Sequence, residues 1–459
     1  MTADYDLAVI GAGPAGLAAA SLADELGLSV ALLDEQAAPG GQIYRSIEQS
    51  PISDRAILGP DYYAGLDLVE KLRGSGVDYL DGAAVWQVLQ DLEIGYTRGG
   101  AAGLLRARQV ILATGALERP FPVPGWTLPG VMAAGAAQIL LKSAAVSEPG
   151  AVFAGCGPLL YLIAWQYSRA GISVKAVLDT TPRQNYLRAL PHLPRALRAG
   201  HYLVKGLSLM RDIRRRGVRL LTGVSALRAL GGERLRSVEF ERRGRRQTID
   251  TDVLFLHQGV VPDMNLAASI GCAHDWSPAQ LCWRPRLDAW GESTVAGIAV
   301  AGDGAGISGA SSAALQGQLV ALGAAFRLQR IDARQRDATA APIRRRLGRD
   351  QAIRPFLERL YRPRRRFRVP QDDGVVVCRC EEVTLGQIRA ALAAGCMGPN
   401  QLKSFVRCGM GPCQGRFCGL TVSEIFAAER KRPVPEVGHY RLRPPVRVLR
   451  LDELAKLGE

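Results

Sequence analysis

The chain has 459 residues, 47% of them hydrophobic and 22% charged, ordinary for a soluble globular protein but too long for one simple core. Its net charge is +15, yet no nucleic-acid recognition motif accompanies the excess. The basic segments at 344–350 and 362–370 are therefore read as solvated or partner-facing linker, and no nucleic-acid ligand is expected.

The opening MTADYDLAVIG runs straight into a strand without a basic leader, so no export signal is expected. The apolar segment 307–326 carries two glutamines and several serines and reads as a buried helix with its preceding loop. A cytoplasmic setting follows, with association at the inner membrane surface left open. In a reducing compartment, clustered cysteines point to metal or redox chemistry more than to structural disulfides.

Residues 4–35 read strand, glycine turn, helix, strand. Gly11, Gly13 and Gly16 fill a GxGxxG pattern with Pro14 and Ala15 inside it. Gly11 permits the tight turn, Gly13 lets the backbone approach a pyrophosphate, and Gly16 lets the helix pack on the strand. The helix N-terminus then faces the phosphates with unpaired N–H groups. The second strand ends in Asp34, spaced to accept ribose hydroxyls, with Glu35 as the alternative.

Two later segments point to FAD rather than NAD. An apolar strand ends in Ala113, Thr114 and Gly115, and a second ends in Gly302 and Asp303 before a glycine-rich turn opens a helix at Gly309 and Ala310. This pattern resembles the pyridine nucleotide–disulfide oxidoreductase superfamily over roughly residues 5–325. The resemblance implies an α/β fold of two dinucleotide-binding, Rossmann-like units. It implies that Asp303 binds the ribityl chain and that PGGQIYR, with Gly41, Gln42 and Arg45, runs from the ribose to the isoalloxazine.

Residues 151–179 repeat the strand–turn–helix–strand plan where that family inserts its NAD(P)H unit. Leu160 replaces the third glycine of the turn, which crowds the helix against the strand. The unit is read as a retained fold with a weakened site, and NAD(P) is not expected to bind. Asp179 at the end of its second strand would favour NAD over NADP if anything bound. Cys156, Cys272 and Cys282 form no close pair, so disulfide-reductase chemistry is excluded. Cys156 reads as a small buried residue, and His257 as structural rather than flavin-facing.

Five of the nine cysteines lie at 378, 380, 408, 413 and 418. Four thiolates from two loops can hold a [2Fe-2S] cluster, with zinc as the rival. Between the loops, Thr384 is expected to cap a short helix, and Cys396 to be a buried small residue. The unit resembles the bacterioferritin-associated-ferredoxin-like [2Fe-2S] domain, which implies Cys378, Cys380, Cys413 and Cys418 as ligands. The last pair is spaced wider here than in the free-standing ferredoxin, and Cys408 either replaces Cys413 or sits nearby unligated.

The expected domains are FAD-binding residues 1–120 and 260–328, the inserted unit 121–259, a basic connector 329–370, the cluster domain 371–428 and an extended tail 429–459. This order resembles the α (A) subunits of heteromeric bacterial amine-oxidising dehydrogenases, of the opine oxidase, hydroxyproline or proline dehydrogenase and hydrogen cyanide synthase kind. The resemblance implies an electron-transfer subunit beside a β flavoprotein of the D-amino-acid-oxidase type. A quinone or carrier-protein acceptor and a small ferredoxin-like subunit complete the expected set. A self-sufficient NAD(P)H-dependent FAD oxidoreductase is the alternative. No catalytic side chain is assigned.

Overall fold

The computed structural model describes residues 3–457. Its first sheet has a parallel core ordered Asp78–Leu80, Val30–Leu33, Tyr5–Ile10 and the C-terminal half of Ala101–Leu112, with Ile298–Val300 closing the far side. The first half of the long strand instead pairs antiparallel with Glu93–Arg98, which pairs with Ala84–Val88. These central strands are buried on both faces, as parallel strands covered by helices must be, so they read as unbroken runs such as LAVI and VALL rather than alternating ones. The last strand of the parallel set arrives after nearly 190 intervening residues.

Those residues build a second parallel sheet, ordered Arg219–Thr222, Val174–Asp179, Ala151–Gly155, Leu254–His257 and Val131–Ala133. A three-stranded antiparallel sheet, residues 224–250, packs beside it. Two short strands, Ala116–Glu118 and Val260–Pro262, pair antiparallel where the chain leaves the first unit and returns to it.

Helices Pro14–Glu25 and Ala310–Arg327 pack together against the first sheet. The Pro14 helix starts very near its own strand: a Cβ on Gly16 would lie 1.8 Å from the Gly11 carbonyl oxygen. The connector is mostly helical. Helix Ala333–Asp350 is capped by Asp332, whose side chain accepts from the Gln335 N–H, and it lies along Ala310–Arg327. The Asp350 carboxylate accepts hydrogen bonds from Ser312 and Tyr202, joining the first unit to the inserted one.

The cysteine unit pairs Val376–Cys378 with Val383–Thr384 and adds helices Leu385–Ala393, Pro399–Val406 and Gly419–Glu429. Thr384 caps the first of these in a reciprocal capping box with Gln387. The unit is fixed to the body by an ion pair between Arg368 and the buried Glu424, and by Trp126 Nε1 donating to the Val376 carbonyl at 2.8 Å.

The tail does more than run over a surface. Tyr440 is 3% exposed and joins the core of the cysteine unit. Farther on, the Val446 N–H donates to the Trp86 carbonyl, and Arg447 pairs with Glu35 at 3.2 Å. The proline-rich composition concealed this because each anchor is a single residue fitted to a distant surface. Among the described residues, no helix is long and apolar enough to cross a membrane.

The Gly16 contact yields a direct test. Gly16→Ala forces its Cβ into backbone that cannot yield, an overpacking cost of about 1–3 kcal/mol. We expect a lowered melting temperature and a reduced flavin-to-protein ratio in the purified variant, measured by calorimetry and absorbance.

Candidate functional site

The first glycine turn lies at the C-terminal edge of the first sheet. Gly13 has no atom closer than 3.9 Å along its missing Cβ, and Gly115 and Gly309 have none within 4 Å. These three glycines come from the three segments the sequence singled out, and each leaves open space beside bare backbone, the kind of close approach a dinucleotide needs. Asp34 is 6% exposed. Its carboxylate accepts from the Ala12 N–H at 2.5 Å and the Gln36 N–H at 2.8 Å, so it also shapes the turn. Burial pushes its carboxyl pKa up, opposed by those two hydrogen bonds. Glu35 lies outside this arrangement, on the ion pair with Arg447.

One carboxylate oxygen of Asp303 accepts from the Ser308 N–H at 2.7 Å and the Gly309 N–H at 3.0 Å, which folds the loop preceding helix Ala310–Arg327. Gly302 and Ala310 flank this loop, and Ala15 lies beneath Gly302. Thr114 Oγ1 donates to the Asp263 carbonyl at 3.1 Å, and the Gly115 carbonyl accepts from the Asp263 N–H. Arg45 donates to the Gln36 side chain, while its buried Nε has no partner among the described residues.

Sequence reasoning passed over Lys142. It lies on the packed face of helix Ala134–Ala144 and is 1% exposed. Its Nζ donates to the Ile43 carbonyl at 2.6 Å and the Gln42 carbonyl at 3.4 Å, and sits 5.2 Å from the Tyr62 ring centre. Burial, with the Arg45 charge adding to it, lowers its pKa to about 7. Lys142 therefore holds the backbone of the GGQIYR segment from behind. The available signal was one lysine in an otherwise apolar and small helix, AGAAQILLKSA.

The second glycine turn is built differently. Gly155 has φ +142° where Gly11 has +106°, and Leu160 is fully buried in the core. Over this turn lies the chain's own connector. Cys156 Sγ donates to the Tyr361 carbonyl at 3.5 Å, Asn185 Nδ2 donates to the Leu360 and Arg362 carbonyls, and Arg364 Nε donates to the Thr180 carbonyl. Asp179 is 1% exposed beneath Tyr161 and Tyr361, and burial pushes its carboxyl pKa up. Burial likewise pushes the Cys156 thiol up to about 12, an inert state. His257 faces this turn: its ring lies beside Gly157 and its Nδ1 is 2.5 Å from Glu118 Oε1.

The five clustered cysteines meet as a triad and a pair. The Sγ atoms of Cys378, Cys408 and Cys418 lie within 4.8 Å of one another, and Cys380 is hydrogen-bonded to Cys413. Cys380 is exposed and the other four are buried. Hydrogen bonds from the Cys408 and Cys418 thiols, with the N–H groups of Gly409 and Glu381, hold the Cys378 thiol down at about 2. The hydrogen bond to Cys378 raises Cys408, to about 12. Tyr440 donates its hydroxyl to Cys408 Sγ at 3.4 Å, and its ring packs over Gly409 and Gly415. Soft thiols, with backbone N–H groups turned toward them, suit iron or zinc. Cys396 is buried apart from this group, with its Sγ donating to the Gly398 carbonyl.

The pyridine nucleotide-disulphide oxidoreductase family matches residues 5–317, and the sarcosine oxidase A3 domain matches residues 375–457. The A subunit of opine oxidase from Rhizobium meliloti is 45% identical, over 99% of this chain and 88% of that protein. The chain belongs to the pyridine nucleotide-disulphide oxidoreductase family, among the A subunits of the opine oxidase type. It is an FAD-dependent oxidoreductase. Hydrogen cyanide synthase subunit HcnB of Pseudomonas aeruginosa is 32% identical over 98% of both chains. The fold matches the crystal structure of L-proline dehydrogenase from P. horikoshii with a TM-score of 0.73 at 20% identity, covering 98% of this chain and 79% of that one.

Lys142→Met removes the hydrogen bonds to the Gln42 and Ile43 carbonyls while keeping the side chain's bulk. We expect flavin to dissociate about tenfold faster, the scale of one lost buried hydrogen bond at about 1.4 kcal/mol. Stopped-flow fluorescence of released flavin measures it.

Proposed function

We propose that this chain is the electron-transfer subunit of a heteromeric dehydrogenase or oxidase. Its substrate class is an amino-acid-derived secondary amine of the opine, hydroxyproline or proline type, oxidised on a partner flavoprotein subunit. The observation that carries the reading is the connector lying over the second glycine turn. The places where a nicotinamide nucleotide's pyrophosphate and ribose would rest are Gly155–Gly157 and Asp179, and both lie beneath residues 360–364. Electrons must then reach the flavin from another donor. The relatives, subunits of opine oxidase and of hydrogen cyanide synthase, support an amine-oxidising partner as that donor.

When bound, FAD would supply two-electron chemistry and a [2Fe-2S] cluster one-electron chemistry, toward an acceptor such as a quinone or carrier protein. The chain's own residues bind and tune. Gly13 would give the pyrophosphate close access, Asp34 would offer its carboxylate to the adenosine ribose, and Asp303, with one oxygen already held by its loop, would offer the other to the ribityl chain. The N-terminus of helix Ala310–Arg327 favours negative charge near the flavin ring.

Cys378, Cys380, Cys413 and Cys418 are the proposed cluster ligands. Cys378 beside Cys418 and Cys380 beside Cys413 give two pairs, each combining the two loops, as two irons require. Cys408, already bonded to Tyr440, is left as a thiol.

Two measurements test this reading. In anaerobic titration, the flavin spectrum should stay oxidised with NADH or NADPH and bleach once an amine is supplied together with the partner flavoprotein. Prompt bleaching by stoichiometric NADH would overturn the relay in favour of a self-sufficient reductase. For the cluster, Cys413→Ser should lose most iron and acid-labile sulfide, whereas Cys408→Ser should retain about two of each per chain. The reverse result moves the ligand role to Cys408, and zinc in place of iron removes the cluster from the scheme.

A further inference from the structure

The inserted unit carries a helical excursion, residues 183–216, between strands Val174–Asp179 and Arg219–Thr222. Its inner face is accounted for. Ala196 and Ala199 are buried against Ala352 and Ile353, with Tyr202 and Leu203 packed beside them, and Ile213 is fully buried. The outer face bears a second apolar set that the fold does not use. Leu187 is 71% exposed, Leu197 63%, Val204 68% and Leu207 66%, with Tyr186 and Leu190 about half exposed. Val204 and Leu207, three residues apart, share one face of helix Gly200–Arg215, and Leu197 on the short turn Leu197–Ala199 before it extends this exposed apolar stripe.

The charge around this stripe has one sign. The excursion holds nine Arg or Lys residues and one acid, Asp212. Lys205 is paired with Asp61, and Arg216 with Asp212. The other seven arginines, at 183, 188, 195, 198, 211, 214 and 215, make no ion pair among the described residues. Isolated exposed leucines need no explanation. A stripe of them interleaved with uncompensated arginines does, because both features are costly unless a surface satisfies both together.

We infer that this excursion is an interfacial docking element that lies on an anionic phospholipid surface, its leucines and valine entering the headgroup boundary and its arginines meeting the phosphates. Leucine tips flanked by long cationic side chains match a bilayer's apolar interior under a charged layer, with each arginine extending its stem past the leucines toward the headgroups. Anionic lipid attracts such a cluster within about one Debye length. A protein interface of the stable kind keeps its charges at the rim and depletes them from its centre. Here the arginines run through the stripe, which favours lipid over a partner chain. The inference adds a location to the proposed relay without depending on it, because vesicle binding is read without any electron transfer.

The test is flotation of the flavin-loaded full chain with vesicles of phosphatidylcholine alone or mixed with phosphatidylglycerol. We expect the protein to float with the acidic vesicles and stay behind with the neutral ones. The triple variant Leu197→Ser, Val204→Ser, Leu207→Ser should bind acidic vesicles at least tenfold more weakly, with its flavin content unchanged. Arg195→Gln with Arg198→Gln, which leaves the apolar stripe intact, should weaken binding and reduce its salt dependence. Failure of the wild-type chain to float with acidic vesicles overturns the proposal, as does undiminished binding of the serine variant. Adding the partner flavoprotein supplies a third readout. If that partner prevents flotation and protects residues 186–207 from hydrogen exchange without lipid, the surface belongs to the partner and the proposal fails. A relay that fails the NADH titration while the chain still floats leaves this inference standing.

Discussion

The carbonyls of Leu360, Tyr361 and Arg362 accept hydrogen bonds from Asn185 and Cys156, and the placement of the other parts follows from that clasp. Three consecutive backbone oxygens are satisfied by side chains of the inserted unit, so this stretch can be buried without the cost of orphaned polar groups. Upstream, helix Ala333–Asp350 lies along the flavin-side helix. Downstream, Phe367 packs edge-on to Phe121 at 5.1 Å, and Arg368 reaches Glu424 in the cysteine unit. One short segment thus closes the second glycine turn and attaches the cysteine unit. The covering of the second glycine turn and the fixing of the cysteine unit are the same structural event.

The sequence showed what local spacing can show. The three glycines of the first turn, the two later strand ends and the Thr384 cap depend on contacts within a few residues, and their patterns survive in one dimension. Departure from a pattern was also legible: Leu160 in place of glycine announced an altered second turn. It did not announce what would lie over that turn, because Tyr361 reaches Cys156 across about two hundred residues of chain.

Other features were hidden for the same physical reason. Lys142 is a surface residue by type, buried by two carbonyls and a tyrosine ring that belong to another segment. Tyr440 sits in a stretch too rich in proline and arginine to suggest a core, yet it fills the space over two glycines of the cysteine loop. Among the cysteines, spacing separated the CxC loop from the later three but could not show that Cys408 would share a triad with Cys378 and Cys418. Periodicity reports the face a residue presents. Only the assembled chain reports what stands opposite.

Strand Ile298–Val300 pairs with Val110–Leu112 across the whole inserted unit, and this has a consequence for how the protein is made. As the chain leaves the ribosome, the first sheet lacks its last parallel strand and the Asp303 loop until the inserted unit has been synthesised. At about 5–20 residues per second, the interval lasts on the order of ten seconds or more. The inserted sheet, with its own contiguous strands, can form during that time, while the half-finished flavin sheet waits with an open edge. Flavin loading is therefore a late event in biosynthesis. The nascent chain's hazard lies in the unpaired edge of Ala101–Leu112, before any cofactor is there to hold it.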